Sequence, residues 1–140
     1  MRLLLLCVGR IRERPLREVL GDYLERLRHF LPTEMIEARD ALEALGRVPA
    51  RYLVCALDEH GEEWTSVGLR RMLETEMNGG RPGIAFLLGG ADGLPAAALA
   101  RASRRWSLSR LTLPHRLARV VVAEQLYRAL TMIRGVPYHR

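Results

Sequence analysis

Three stretches of the chain are apolar almost without interruption: residues 2–8, "YLVCALD" over 52–58 and "GIAFLL" over 83–88. Runs of this length without polar alternation predict strands buried on both faces. Between the first two the period changes. Leu16, Val19, Leu20, Tyr23, Leu24, Leu27 and Phe30 fall on one stripe of a helix opened by Pro15 and ended by Pro32. A weaker strand is expected over about 33–38 and a short helix over about 40–45, stopped by Gly46. "EHGEEW" reads as a loop. Ser66 can cap a helix that runs to about 77, where "NGG" stops it. Pro95 opens an Ala-rich helix to about 103, "WSLSRLTLP" over 106–114 is partly extended, and a last helix covers about 115–134 before Gly135 and Pro137. Strands alternating with helices predict an α/β fold: a mostly parallel sheet with helices on both faces, in one domain over 1–140.

Such sheets bind ligands beyond the carboxyl ends of their strands. Leu57-Asp58, Gly89-Gly90 and the "LSRLTL" stretch are therefore expected on one edge as walls of one site. In "FLLGGADGLP", residues 86–95, a buried strand stops at two glycines. Bare backbone there predicts that something approaches it closely, and a ligand is the expected visitor. The motif is neither G-x-G-x-x-G nor a P-loop. Asp92 beside the glycines disfavours a diphosphate and suits a neutral or cationic ligand.

Charge sharpens the picture. All 22 cations are arginines, which excludes Schiff-base lysine chemistry and a P-loop lysine. The net charge of +6 is unevenly spread: residues 1–76 carry 12 Arg against 14 acids, and residues 77–140 carry 10 Arg against only Asp92 and Glu124. A basic second half predicts a polyanionic partner, with Arg101, Arg104 and Arg105 expected to matter more for RNA than Arg26, Arg28 and Arg39. Cys7 and Cys55 lie in strand-like runs and read as reduced core residues. Two cysteines and four scattered histidines offer no metal-ligand spacing. No apolar run reaches membrane-span length, and "MRLLLLCVGR" lacks a small-residue cleavage site, so a cytoplasmic protein without a membrane partner is expected.

"LLGGADGL", "WSLSRLTLPHRLARVVVAEQLYRA" and the terminal "PYHR", with "LLCVGR", "YLERL" and "ALDEHGEEWTS" upstream, resemble the ribosomal RNA large subunit methyltransferase H family of the SPOUT superfamily. The likeness covers nearly the whole chain, with 33–51 the weaker and shorter part. It implies a C-terminal trefoil knot, a homodimer, S-adenosylmethionine as cofactor, and methylation at N3 of a pseudouridine in 23S rRNA of the ribosome. The cofactor pocket it implies consists of Leu57, Gly89, Leu108, Ser109, Arg110, Leu111, Thr112 and Leu113. The residues alone leave two other readings open: a non-catalytic RNA-binding or ribosome-associated module, and a methyltransferase acting on another rRNA or tRNA nucleoside.

Glu124 sits on the apolar stripe of the last helix with Arg128 one turn on, and a structural ion pair is expected. His115 can cap, line the pocket or contact RNA. Tyr138, His139 and Arg140 offer a stacking ring, a group titrating near neutrality and a phosphate-binding cation. They are the candidate catalytic set, with His139 as general base for the N3 proton and the set placed beside the cofactor.

Overall fold

A computed structural model describes residues 1–138. Ten elements follow one another: β1 Arg2–Val8, α1 Arg14–Arg28, β2 Thr33–Ala38, α2 Ala41–Gly46, β3 Leu53–Glu63, α3 Ser66–Asn78, β4 Gly83–Leu88, α4 Ala96–Ala100, β5 Arg104–Ser107 and α5 His115–Arg134. The strands form one sheet in the order β2-β1-β4-β3-β5, and every pair is parallel. All carboxyl ends therefore meet on one edge.

The predicted buried strands are the central three, and β4 is buried at every position. Side chains alternate between two cores. Leu3, Leu5, Cys7 and Phe86 face α1, α3 and α5, whereas Leu4, Leu6, Ala85 and Leu87 face α2 and α4. Helices thus cover both faces, as expected. Small residues (Ala41, Ala44, Ala98) let the two short helices lie close to the second face.

Three details differ from the pattern. The polar stretch "EHGEE" is strand, not loop. Trp106 of β5 is opposite both Leu57 and Glu62, so 58–61 bulges out and β3 resumes along β5. Pairing with β5 overrides the poor strand propensity of these residues. Gly61 is needed there, because a Cβ would sit 2.6 Å from the Arg105 carbonyl. The extended segment before α5 covers only 104–107, and the remainder is loop. The α3 cap is Thr65, whose Oγ1 accepts from the Gly68 N–H, while Ser66 hydrogen-bonds Gln125 of α5 at 2.6 Å.

α5 is fastened to the carboxyl edge by Arg119, which is fully buried. Its guanidinium donates to the Val8 carbonyl at 2.6 Å and to the Glu37 carboxylate at 3.1 Å. The same carboxylate accepts from the Ile11 N–H at 2.8 Å.

Candidate active site

A cleft of about 150 Å³ opens at the carboxyl ends of β3, β4 and β5. The three predicted walls are its walls. Leu57, Gly89, Leu108, Ser109, Leu111, Thr112 and Leu113 all line it. Arg110 does not: its Nε turns away to the Glu63 carboxylate at 3.0 Å, in an exposed pair. His115, whose role the sequence left open, also lines the cleft at the start of α5.

Several lining residues escaped the pattern. The bulge in β3 carries Glu59 into the wall beside the expected Asp58, and Trp106 and Ser107 also line the cleft. Trp106 is held by a stack on Trp64, with ring centroids 5.2 Å apart, and by an edge contact with Phe86. The loop after β5 is set by serines. Ser107 donates to the Ser109 carbonyl at 3.1 Å, and the Ser109 hydroxyl accepts from the Leu111 N–H at 2.9 Å. That turn thrusts Leu111 outward, 75% exposed at the cleft mouth.

The glycines have a different cause from the one expected. A Cβ on Gly89 would lie 2.5 Å from the carbonyl carbon of Gly93. "GGADG" folds back on itself: the Gly93 N–H donates to the Gly90 carbonyl at 3.0 Å, and Gly93 takes φ +72°, which favours glycine. The close visitor is the chain's own turn, and the cleft opens beside it.

The wall chemistry is apolar leucines, exposed loop backbone and two carboxylates, with no arginine. Such a lining suits a flat, mostly apolar ligand with backbone-satisfied polar edges and positive charge. Among the described residues no group of three His, Cys, Asp or Glu can hold a metal ion, and no helix is long and apolar enough to cross a membrane.

Tyr138 is not at this cleft. Tyr138 packs edge-on against Tyr127 at 4.7 Å, with the Arg128 guanidinium 5.2 Å from its ring. Arg128 is itself held by Glu124 at 2.8 Å, the ion pair expected within α5. Burial first, then a hydrogen bond with Tyr23 and the Glu124 charge, push the Tyr138 hydroxyl up to about 12. Tyr138 thus sits at the level of Tyr127, 12 residues along α5 from His115, and that length of helix spans about 18 Å. For Tyr138, the expected place beside the cofactor is therefore not met within one chain. The reason for expecting it, a polar tail emerging at the sheet edge, overlooked the length of α5. His139 and Arg140 lie outside the described residues.

An α/β sheet with an apolar, carboxylate-flanked cleft at its carboxyl edge is a small-ligand-binding frame, and comparison specifies which. A family model described as "Predicted SPOUT methyltransferase" matches residues 1–139. The structure of a probable methyltransferase from Bordetella pertussis Tohama I superposes with a TM-score of 0.58 at 16% identity, covering 92% of this chain and 96% of that one; this likeness concerns the fold. Ribosomal RNA large subunit methyltransferase H of Sorangium cellulosum is 44% identical, covering 99% of both chains. The enzyme of that name from Rhodospirillum rubrum is 43% identical, covering 100% of this chain and 99% of its own. The chain belongs to the ribosomal RNA large subunit methyltransferase H family of SPOUT methyltransferases.

Proposed function

We propose that this methyltransferase uses S-adenosylmethionine to methylate N3 of a pseudouridine in large-subunit ribosomal RNA. The observation that carries the reading is the cleft. Seven of the eight residues assigned to the cofactor from sequence line one cavity, in a chain whose full-length relatives are named for large-subunit rRNA methylation. The fit is chemical as well. Leu57, Leu111 and Leu113 can sandwich an adenine, the exposed side chain of Leu111 gives a bound ring something to cover, and the loop backbone of 89–93 and 108–113 can meet its polar edges. Asp58 and Glu59 favour a cationic ligand, and no lining arginine opposes it. When bound, adenosylmethionine supplies an electrophilic methyl group on a sulfonium.

The protein's contribution is then positioning, exclusion of water and removal of one proton. Leucine walls desolvate the reacting atoms, and aligned approach accounts for much of the acceleration. N3 of the acceptor carries a hydrogen, so transfer of the methyl to N3 releases a proton that must go to a base. We assign that role to His139, with Tyr138 stacking on the base and Arg140 holding a phosphate. Since Tyr138 of one chain packs on Tyr127, about 18 Å along α5 from the cleft residue His115, the assignment calls for the tail of a second copy. A homodimer is supported by the α1–α5 surface, where Tyr23, Phe30, Tyr127 and Tyr138 stay partly exposed around Arg26 and Arg128. The trefoil knot of the superfamily supports reading 89–93 and 108–114 as the loops of one cofactor site.

Calorimetry with adenosylmethionine, followed by mass mapping of rRNA after incubation with unmethylated ribosomes, tests the reading. One added methyl on a single pseudouridine is expected. Absence of cofactor binding would return the chain to RNA binding without catalysis, and methyl on another nucleoside would keep the cleft and change the target.

A further inference from the structure

The charge asymmetry of the sequence directs attention to the second half, but the carboxyl edge carries cations from the first. Val8 of β1 lies beside Gly90, and the residues after β1 form the loop 9–13 on the same edge as the cleft. This loop is fixed from several sides. The Gly9 N–H donates to Ala38, Ile11 is buried, its N–H donates to Glu37 and its carbonyl accepts from Arg17 at 2.6 Å. Arg116, one residue after the cleft residue His115, pairs with Glu13 and ties the loop to α5.

On either side of the anchored Ile11 stand Arg10 and Arg12. Both are exposed, and among the described residues neither has a carboxylate partner. Neighbouring cations are spent: Arg14 pairs with Glu18, Arg39 with Asp40 and Glu43, Arg116 with Glu13. Asp40 and Asp92 line the groove between the glycine turn and α2 and disfavour a phosphate chain there.

We propose that Arg10 and Arg12, carried on this anchored loop, form a two-pronged clamp for the RNA backbone at the rim of the cleft. This rests on the reading of the protein as an rRNA methyltransferase. Two guanidiniums on an anchored backbone, with no internal ion pair to give up, bind phosphate without first breaking a bond within the protein. Arg101 and Arg105 are also exposed, but Arg101 ends α4 before β5 begins, and Arg105 lies opposite Ala56, one residue short of the cleft-lining Trp106.

The experiment titrates a labelled large-subunit rRNA transcript with the wild-type chain, R10A/R12A and R101A/R105A over a range of salt. Each phosphate contact is worth about threefold in affinity between about 50 and 200 mM salt and about 0.7–0.9 in the salt slope. R10A/R12A is expected to bind about tenfold more weakly with a slope lowered by about 1.5, while adenosylmethionine binding and the thermal midpoint stay at wild type. R101A/R105A is expected to lose less. If R10A/R12A binds RNA like wild type, or R101A/R105A loses more, the clamp is wrong and the enzyme reading stands. If the wild-type chain binds no RNA, both fall.

Discussion

Gly89 and Gly61 each stand against backbone, which cannot move aside as a side chain can. Gly89→Ala is expected to cost about 1–3 kcal/mol through overpacking. Because the clash is with the turn that borders the cleft, adenosylmethionine affinity is expected to fall as well; urea titration and calorimetry read the two effects separately. The thiols give a residue-scale test with a defined pH sign. Burial pushes both Cys7 and Cys55 up to about 12 from an ordinary value of 9.0. The native state therefore holds these protons after the unfolded chain has released its own. Stability is unaffected below pH about 8 and falls as pH rises from about 9 towards 12. A thiol-reactive dye at pH 8 is expected to label neither cysteine until denaturant unfolds the chain. The catalytic assignment carries its own pH signature. His139→Ala should slow methyl transfer on the order of a hundredfold or more, with the loss shrinking at alkaline pH, where the nucleobase ionises without help. A few-fold loss at every pH would make His139 a positioning residue.

Among the elements, α5 depends most on one side chain. Arg119 reaches Val8 and Glu37, on two different strands. Arg119→Met removes a buried cation and leaves the Val8 carbonyl and part of the Glu37 carboxylate without a donor, at an expected cost of about 3 kcal/mol. Arg119→Lys keeps the charge but loses the fork that meets both acceptors, and should recover less than half of it in urea unfolding. Periodicity revealed α5 and its apolar stripe, yet not this pairing. An arginine within a helix reads as solvated until the partner is known, and Glu37 is 82 residues away. The strands β1, β3 and β4 were legible because burial on both faces leaves a continuous apolar run. The extension of β3 was not, since Asp58 to Glu63 owe their conformation to the backbone of β5 rather than to their own side chains. The cleft was legible because a parallel sheet must bring its strand ends together. The part played by Gly93 was not, as the close contact of Gly89 is with the chain's own turn.

For the whole molecule, Tyr138 packs on Tyr127, away from the cleft at the start of α5, so completeness of the site becomes a question of copies. Sedimentation at micromolar concentration is expected to show a dimer. A chain lacking 138–140 and a chain altered at Leu57 and Leu113 should each be inactive alone and regain activity when mixed, because one hybrid site then has both an intact cleft and an intact tail. No recovery on mixing would confine each site to a single subunit. α5 also covers one face of the sheet with Val122, Leu126 and Leu130, and it is the last element in the chain. During synthesis the five strands are complete at Ser107, while the helix that closes that face ends 27 residues later at Arg134. Because the ribosomal exit tunnel covers the newest residues, β5 emerges only as α5 is completed, and the apolar face stays open until α5 docks. A substitution that slows the docking of α5 therefore prolongs the most adhesive stage of the protein's life and invites chaperones, whereas one that slows an earlier helix leaves no completed sheet to protect.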